Sequence, residues 1–362
     1  MNKIRIEGNV YTQEYFESEE ENGFAARSSF HRQLYVFLKE WFSAPSTLRV
    51  RTSGSTGAPK ELTVRKEQMR QSAKRTCDFF GLKKNDKALL CLPLEYIAGK
   101  MMVVRAIYAG LDLYPVAPDG HPLARTDKPF DFAALVPLQV YNSLQSAAGK
   151  RRLSRIKSLI IGGGAIDDAL EKALEDFPNA VYSTYGMTET LSHIALRRIN
   201  GTDADRYYTP LPGVGLALSE EQTLIIDAPL VANEILITND IAELRPDGRF
   251  RIIGRKDNVI NSGGIKIQLE EVERVLRPYI TGTFAVTCIP HPKLGEAVVL
   301  LLEPSADAVR VGETAAKVLP HYWKPLHVYT VAAIPQTGNG KTDRKATKLL
   351  AEKISLPNAA TI

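Results

Sequence analysis

Between Phe30 and Phe42 the apolar side chains Leu34, Phe37, Leu38, Trp41 and Phe42 recur at helical spacing, which predicts an amphipathic helix. Lys87 to Leu92 is a short apolar run that reads as a strand, ended by Pro93. Ala98 to Ala109 returns to helical spacing. Phe132 to Val136 and Leu159 to Ile161 are apolar at every position, as strands of a parallel sheet covered on both faces are. The second of these runs straight into Gly162, Gly163 and Gly164, after which Asp167 to Phe177 reads as an amphipathic helix. Alternation of this kind predicts an α/β architecture. Its ligands belong at the carboxyl ends of the strands, where the three glycines lie.

From about residue 206 the texture shifts to short β segments, including Glu234-Ile235-Leu236-Ile237 and a hairpin turn at Pro246-Asp247-Gly248. The return strand, Phe250 to Ile253, delivers Arg255 and Asp257. Beyond it a helix over Leu269 to Leu276, two strands and a glycine-flanked loop at Lys341 make a smaller α+β unit. A chain of 362 residues has room for two cores. The expected division is a large N-terminal domain over 1–256, with mixed or parallel sheets and a small β-rich part, and a C-terminal domain over 257–362.

Composition narrows the class. Hydrophobic content of 44% and charged content of 24% are those of an ordinary soluble globular protein. A net charge of +5 is mild and suits small anionic substrates. No basic run exceeds Lys150-Arg151-Arg152, and no nucleic-acid-binding signature accompanies it, so nucleic acid is not an expected partner. Cys77, Cys91 and Cys288 are scattered and lack metal-knot spacing, which predicts buried thiols in a reducing compartment. Neither an apolar leader nor a membrane-spanning run is present, so a cytoplasmic protein without membrane insertion is expected.

Candidate chemistry concentrates in Thr52-Ser53-Gly54-Ser55-Thr56-Gly57-Ala58-Pro59-Lys60. Gly54 and Gly57 let backbone N–H groups turn toward anionic oxygens, while Ser53, Ser55, Thr56 and Lys60 add donors and positive charge. A polyphosphate is the ligand this suits. The segment is not a Walker motif, because Pro59 stands between the second glycine and the lysine. Further along come Tyr185-Gly186-Met187-Thr188-Glu189-Thr190, Thr238-Asn239-Asp240, Gly254-Arg255-Lys256-Asp257 and Pro335-Gln336-Thr337-Gly338-Asn339-Gly340-Lys341.

In this order the motifs resemble those of the adenylate-forming superfamily, which includes acyl- and aryl-CoA synthetases. The resemblance implies an enzyme that joins a carboxylic acid to CoA through an acyl-adenylate, using ATP and Mg²⁺. It implies that Thr52 to Lys60 hold the β- and γ-phosphates, that Thr188 contacts the α-phosphate, and that Glu189 helps hold the metal. Tyr185 would lie against adenine, Asp240 and Arg255 would hold the ribose, and Gly162, Gly163 and Gly164 would let backbone approach adenine and acyl group. Lys341 would bridge carboxylate and α-phosphate. The 257–362 unit would be a mobile lid hinged at Asp257, with Gly263 and Gly264 lining a pantetheine tunnel.

Several positions depart from the superfamily pattern. Ser183 stands where an asparagine often reads adenine, Tyr96 where a histidine is usual, and Asn239 where glycine is common. A longer stretch usually precedes the phosphate loop, which implies a trimmed N-terminal part. Among acid–CoA ligases the motif followed by Ser192-His193 is most similar to the o-succinylbenzoate–CoA ligases of menaquinone synthesis. That acid has two carboxylates, and Ser192, His193 and Arg197 are the candidates for holding the one that is not activated. Other aryl or acyl acids remain alternatives. A non-catalytic adenylate-binding protein should have lost Lys341 or Glu189, and this chain keeps both. A homodimer is an open alternative to a monomer.

Overall fold

The computed structural model describes residues 2–17, 23–51, 61–337 and 342–355. Its main body is a nine-stranded sheet. Ala180–Gly186, Ile156–Ile161, Phe130–Leu135, Lys87–Leu90, Asp112–Pro115 and Lys3–Ile6 lie side by side in parallel. Antiparallel strands close both edges: Asn9–Thr12 at one, His193–Arg198 and Thr209–Pro210 at the other.

Period-two alternation divides each central strand between two cores. Ala88, Leu90, Phe132, Ala134 and Ile160 face one side, where Leu34, Leu38, Met69 and Met102 cover them. Leu89, Cys91, Ala133, Leu135, Leu159 and Ile161 face the other, under Val140, Leu170 and Leu174. Burial on both faces is why these strands read as unbroken apolar runs. The three cysteines are free and buried.

The helix over Ser29–Phe42 buries Phe30, Leu34, Phe37, Leu38 and Trp41 as its spacing requires. Ser28 caps it, accepting from the His31 N–H at 3.2 Å. Lys66 closes its far end: the buried ammonium donates to the carbonyls of Glu40 and Ser43 at 2.9 and 2.8 Å. Ile97–Ala109 is buried almost all round and ends at Gly110, whose φ of 67° is left-handed.

Gly215–Leu218, Thr223–Asp227, Leu236–Leu244 and Phe250–Arg255 form a four-stranded antiparallel sheet. A five-stranded sheet follows, with Val259–Ser262, Ile265–Gln268, Phe284–His291 and Gly295–Leu302 antiparallel and His327–Thr330 added in parallel. Its cores lie on opposite faces, Val298, Leu300 and Leu302 against Ala297, Val299 and Leu301. Lys256–Asn258 is a short turn between the two sheets. No helix among the described residues is long and apolar enough to cross a membrane.

Three expectations need correction. Glu234 and Ile235 lie outside the strand, because the ladder with Thr223–Asp227 begins at the pair Ile226 and Leu236. The helix expected over Asp167 to Phe177 spans Asp168–Leu174; Asp167 is its cap, accepting from Leu170 N–H at 2.8 Å. The C-terminal unit has five strands where two were expected, since Val259–Ser262, Ile265–Gln268 and His327–Thr330 are only four residues each, too short to declare a period.

Candidate active site

Tyr185 lies at the carboxyl end of Ala180–Gly186, beside the four-stranded sheet. Its hydroxyl donates to Asp240 Oδ2 at 2.7 Å, and Arg255 donates to Asp240 Oδ1 at 2.9 Å. The register of the second sheet sets this up, for Asp240 and Arg255 are direct cross-strand partners. Arg255 also donates to Asp257 at 2.7 Å, and Asn239 donates to the same carboxylate at 3.1 Å. Burial and the Asp240 charge push the Tyr185 hydroxyl well above the ordinary tyrosine range, so it stays a donor. Burial opposes the Arg255 charge, but Asp257 and Asp240 outweigh it and raise its pKa.

Thr188–Thr190 is a single 3₁₀ turn. Thr190, fully buried, shapes it: its hydroxyl accepts from Met187 N–H at 3.0 Å and faces the Ser192 carbonyl at 2.8 Å. Thr188 and Glu189 are left accessible, and no hydrogen bond or ion pair engages Glu189 among the described residues. Leu191 takes a φ of 65°, which folds the chain back so that His193 pairs with Gly186. A Cβ on Gly186 would run into the Ser192 carbonyl, so only glycine fits.

Gly162 is under a similar constraint, since a Cβ there would strike the Thr184 hydroxyl. Gly163 has a φ of 78°, and Gly164 continues the turn toward the helix capped by Asp167. Ser183, at the position expected to read adenine, is buried and shares a 2.7 Å hydrogen bond with the Tyr208 hydroxyl. In the C-terminal unit Gly263 and Gly264, with φ of 60° and 83°, form the tight turn between Val259–Ser262 and Ile265–Gln268.

Thr52, Ser53, Gly54, Ser55, Thr56, Gly57, Lys60 and Lys341 lie outside the described residues. Around the first group, Thr47–Arg51 and Glu61–Arg65 pair antiparallel with Arg51 opposite Glu61. Around Lys341, Gln336 bridges to Thr342 and Arg344 makes two 2.7 Å hydrogen bonds to Glu273.

The candidates for a second carboxylate differ in what they already hold. Arg197 is buried and ion-paired with Glu171, so its charge is answered. His193 begins a strand and is buried, with Nε2 3.1 Å from Thr76 Oγ1. Burial, reinforced by Arg105, drives its pKa well below the usual value, so it is neutral. Ser192 accepts from Arg105 Nη2 at 2.6 Å.

Arg105 was not among the expected site residues. Only 2% of it is exposed, its Nε is buried without a hydrogen-bond partner, and no carboxylate among the described residues pairs with it. Among the described residues its Nη1 meets only the Met102 sulfur, at 3.6 Å. Burial pushes its pKa down to about 10, so it is charged at neutral pH. The sequence held one signal for it, an arginine inside the apolar helical run Met101 to Ile107.

A family model described as AMP-binding enzyme matches residues 51–239. The 2-succinylbenzoate–CoA ligase of Escherichia coli is 28% identical over 346 residues, spanning 91% of this chain and 74% of that protein. A crystal structure of an acyl-CoA synthetase (AMP-forming)/AMP-acid ligase II-like protein from Dyadobacter fermentans is 33% identical. It covers 92% of this chain and 97% of its own, with a TM-score of 0.63. An arginine-to-lysine variant of E. coli MenE with bound OSB-AMS shares the fold at a TM-score of 0.70 and 24% identity, covering 86% of this chain and 71% of that one. This chain therefore belongs to the AMP-binding enzyme family and is an AMP-forming acid–CoA ligase that works with ATP, Mg²⁺ and CoA.

Proposed function

We propose that the acid is a dicarboxylate, 2-succinylbenzoate, and that Arg105 holds the carboxylate that is not activated. The observation carrying this reading is a buried guanidinium with no counter-charge among the described residues, one hydrogen bond from Ser192, just past the Thr188–Thr190 turn. An uncompensated buried cation is costly, and a ligand anion removes that cost on binding. A monocarboxylic substrate would leave the guanidinium unanswered. The names of the similar E. coli and other ligases support the same acid.

In the first half-reaction a carboxylate oxygen attacks the α-phosphorus of ATP, the bond to the β-phosphate oxygen breaks, and pyrophosphate leaves. In the second the CoA thiol loses its proton and attacks the acyl carbon, and AMP departs with the electron pair of the cleaved C–O bond. Thr52 to Lys60 are assigned to the β- and γ-phosphates, Thr188 to the α-phosphate, and Asp240 with Arg255 to the ribose. Lys341 neutralises charge between the two anions as they approach. Gly263 and Gly264 are assigned to the pantetheine path, and 257–362 to a lid turning at Asp257.

Glu189 is exposed and unpaired on the catalytic turn, and no cluster of three or more His, Cys, Asp or Glu side chains occurs among the described residues. One carboxylate plus phosphate oxygens is a fit donor set for Mg²⁺, which keeps several waters. Bound there, the ion would offset phosphate charge.

The test is thioester formation with 2-succinylbenzoate and with benzoylpropionate, which lacks the ring carboxylate. The dicarboxylate should be preferred by a factor on the order of a hundred. Arg105→Ala should remove most of that preference. Equal use of the two acids by the native enzyme would sink the substrate while leaving the ligase intact.

A further inference from the structure

Arg105 is held by a chain of contacts that reaches across three elements. Its Nη2 donates to Ser192 Oγ at 2.6 Å; Ser192 Oγ lies 3.4 Å from His193 Nδ1; and His193 Nε2 lies 3.1 Å from Thr76 Oγ1. Thr76 sits on Lys66–Phe80 and Arg105 on Ile97–Ala109, while Ser192 precedes and His193 opens the strand His193–Arg198 of the large sheet.

The proton count along this chain follows from where the single Thr76 hydroxyl hydrogen goes, since its neighbours are the Ser72 carbonyl at 3.2 Å and His193 Nε2 at 3.1 Å. The carbonyl can only accept, and with the hydrogen turned to it Thr76 Oγ1 is an acceptor toward His193. A neutral imidazole accepted at Nε2 carries its proton there, which leaves Nδ1 as an acceptor. The Ser192 hydroxyl hydrogen therefore turns to Nδ1, and its lone pairs face the guanidinium. Without an acceptor at that position the hydroxyl is free to rotate its hydrogen toward Arg105, where it meets an N–H and holds nothing. The Met102 sulfur is too weak an acceptor to fix the guanidinium by itself.

We infer that His193 is a positioning residue: acting through Ser192, and set by Thr76, it holds the Arg105 guanidinium in the orientation that receives the second carboxylate of the acid. This rests on the assignment of Arg105 to that carboxylate. His193 itself does not touch the substrate. Its service is to be a buried, uncharged acceptor of the right tautomer beside a cation.

The experiment compares His193→Phe, His193→Asn, Thr76→Val and Arg105→Ala in the full-length enzyme. KM and kcat are measured for 2-succinylbenzoate and for benzoylpropionate, with thermal unfolding of each variant alongside. His193→Phe keeps ring volume and loses the acceptor; His193→Asn offers an amide oxygen to Ser192 and an N–H to Thr76. In His193→Phe the rise in KM for the dicarboxylate should exceed that for the monocarboxylate by roughly tenfold or more, with kcat changed much less. His193→Asn should recover most of that difference, and Thr76→Val should show a smaller loss of the same kind.

A His193→Phe enzyme that weakens both acids alike, or that Asn fails to rescue, overturns the inference and makes His193 a packing residue. If Arg105→Ala removes the preference for the dicarboxylate while His193→Phe and Thr76→Val leave it intact, the inference falls and the substrate reading stands. If Arg105→Ala weakens both acids equally, the reading of Arg105 falls and the inference with it. Should His193→Phe melt too low to assay, the Thr76→Val pattern decides between these outcomes.

Discussion

Tyr185 and Asp240 come from different sheets, yet the tyrosine hydroxyl donates to the Asp240 carboxylate at 2.7 Å. With Arg255 on its other oxygen, the carboxylate is fully oriented before a nucleotide arrives. In the ribose role proposed for Asp240, the sugar hydroxyls would meet a fixed acceptor and pay little for ordering it. Tyr185→Phe should therefore raise KM for ATP severalfold, leave KM for the acid nearly unchanged, and cost about 1.5 kcal/mol of stability. Steady-state kinetics with each substrate varied, together with denaturant unfolding, check both parts. An unaltered KM for ATP would remove Asp240 from the nucleotide site.

Lys341→Ala should slow acyl-adenylate formation by several orders of magnitude and thioester formation from supplied acyl-adenylate only mildly. The reason is the charge contact proposed for Lys341, which would be strongest in the first transition state and worth several kcal/mol. Glu189→Gln should also damage the first step and raise the Mg²⁺ concentration needed for half-maximal rate. Pyrophosphate release without CoA, followed against Mg²⁺, measures both. Normal adenylation by the Lys341 variant would reassign that lysine.

Asp257 is tied to Arg255 and to Asn239 in this pose. If 257–362 turns at Asp257 between half-reactions, these exposed contacts bias one pose by a few tenths of a kcal/mol to about 1 kcal/mol. Asn239→Gly should therefore shift the ratio of the two half-reaction rates by up to about fivefold. Asp257→Pro should impair CoA transfer more than adenylation, since the ring restricts the backbone torsion. Equal losses in both steps would count against the hinge.

His193 also predicts a pH dependence. Its folded-state pKa is well below 6.5 because burial and Arg105 disfavour the cation, whereas in the unfolded chain it titrates normally. Below about pH 6.5 the unfolded state binds a proton that the folded state refuses, so stability falls with pH by about 1.4 kcal/mol per unit for this one group. Above that pH the contribution is flat. His193→Asn should lose this slope, and the gap between variant and native unfolding free energies should narrow or reverse as the solution is acidified. His31, also depressed by burial, is present in both proteins and cancels in the comparison.

Legibility in the sequence followed how local the deciding physics was. Ser29–Phe42 and Ile97–Ala109 declare themselves by side-chain spacing, and the central strands by unbroken apolar runs. Glu234 and Ile235 look like strand residues, yet their fate depends on where the partner strand stops, which no local pattern records. Tyr185, Asp240 and Arg255 were named from their motifs, and the structure brings them within hydrogen-bond distance. Arg105 escaped because nothing around it in sequence shows that no acid will come to meet it. Arg197 looked equally available until Glu171, from a distant helix, proved to be its partner.

The outermost parallel strand, Lys3–Ile6, hydrogen-bonds to Asp112–Pro115. On the ribosome it is made before its partner, which emerges only roughly a hundred residues later, a high contact order that slows closure. Until then its apolar residues, Ile4 and Ile6, have nowhere to go but the solvent or a helper protein. Synthesis rate and chaperone supply should therefore govern the yield of active enzyme more than the final stability does.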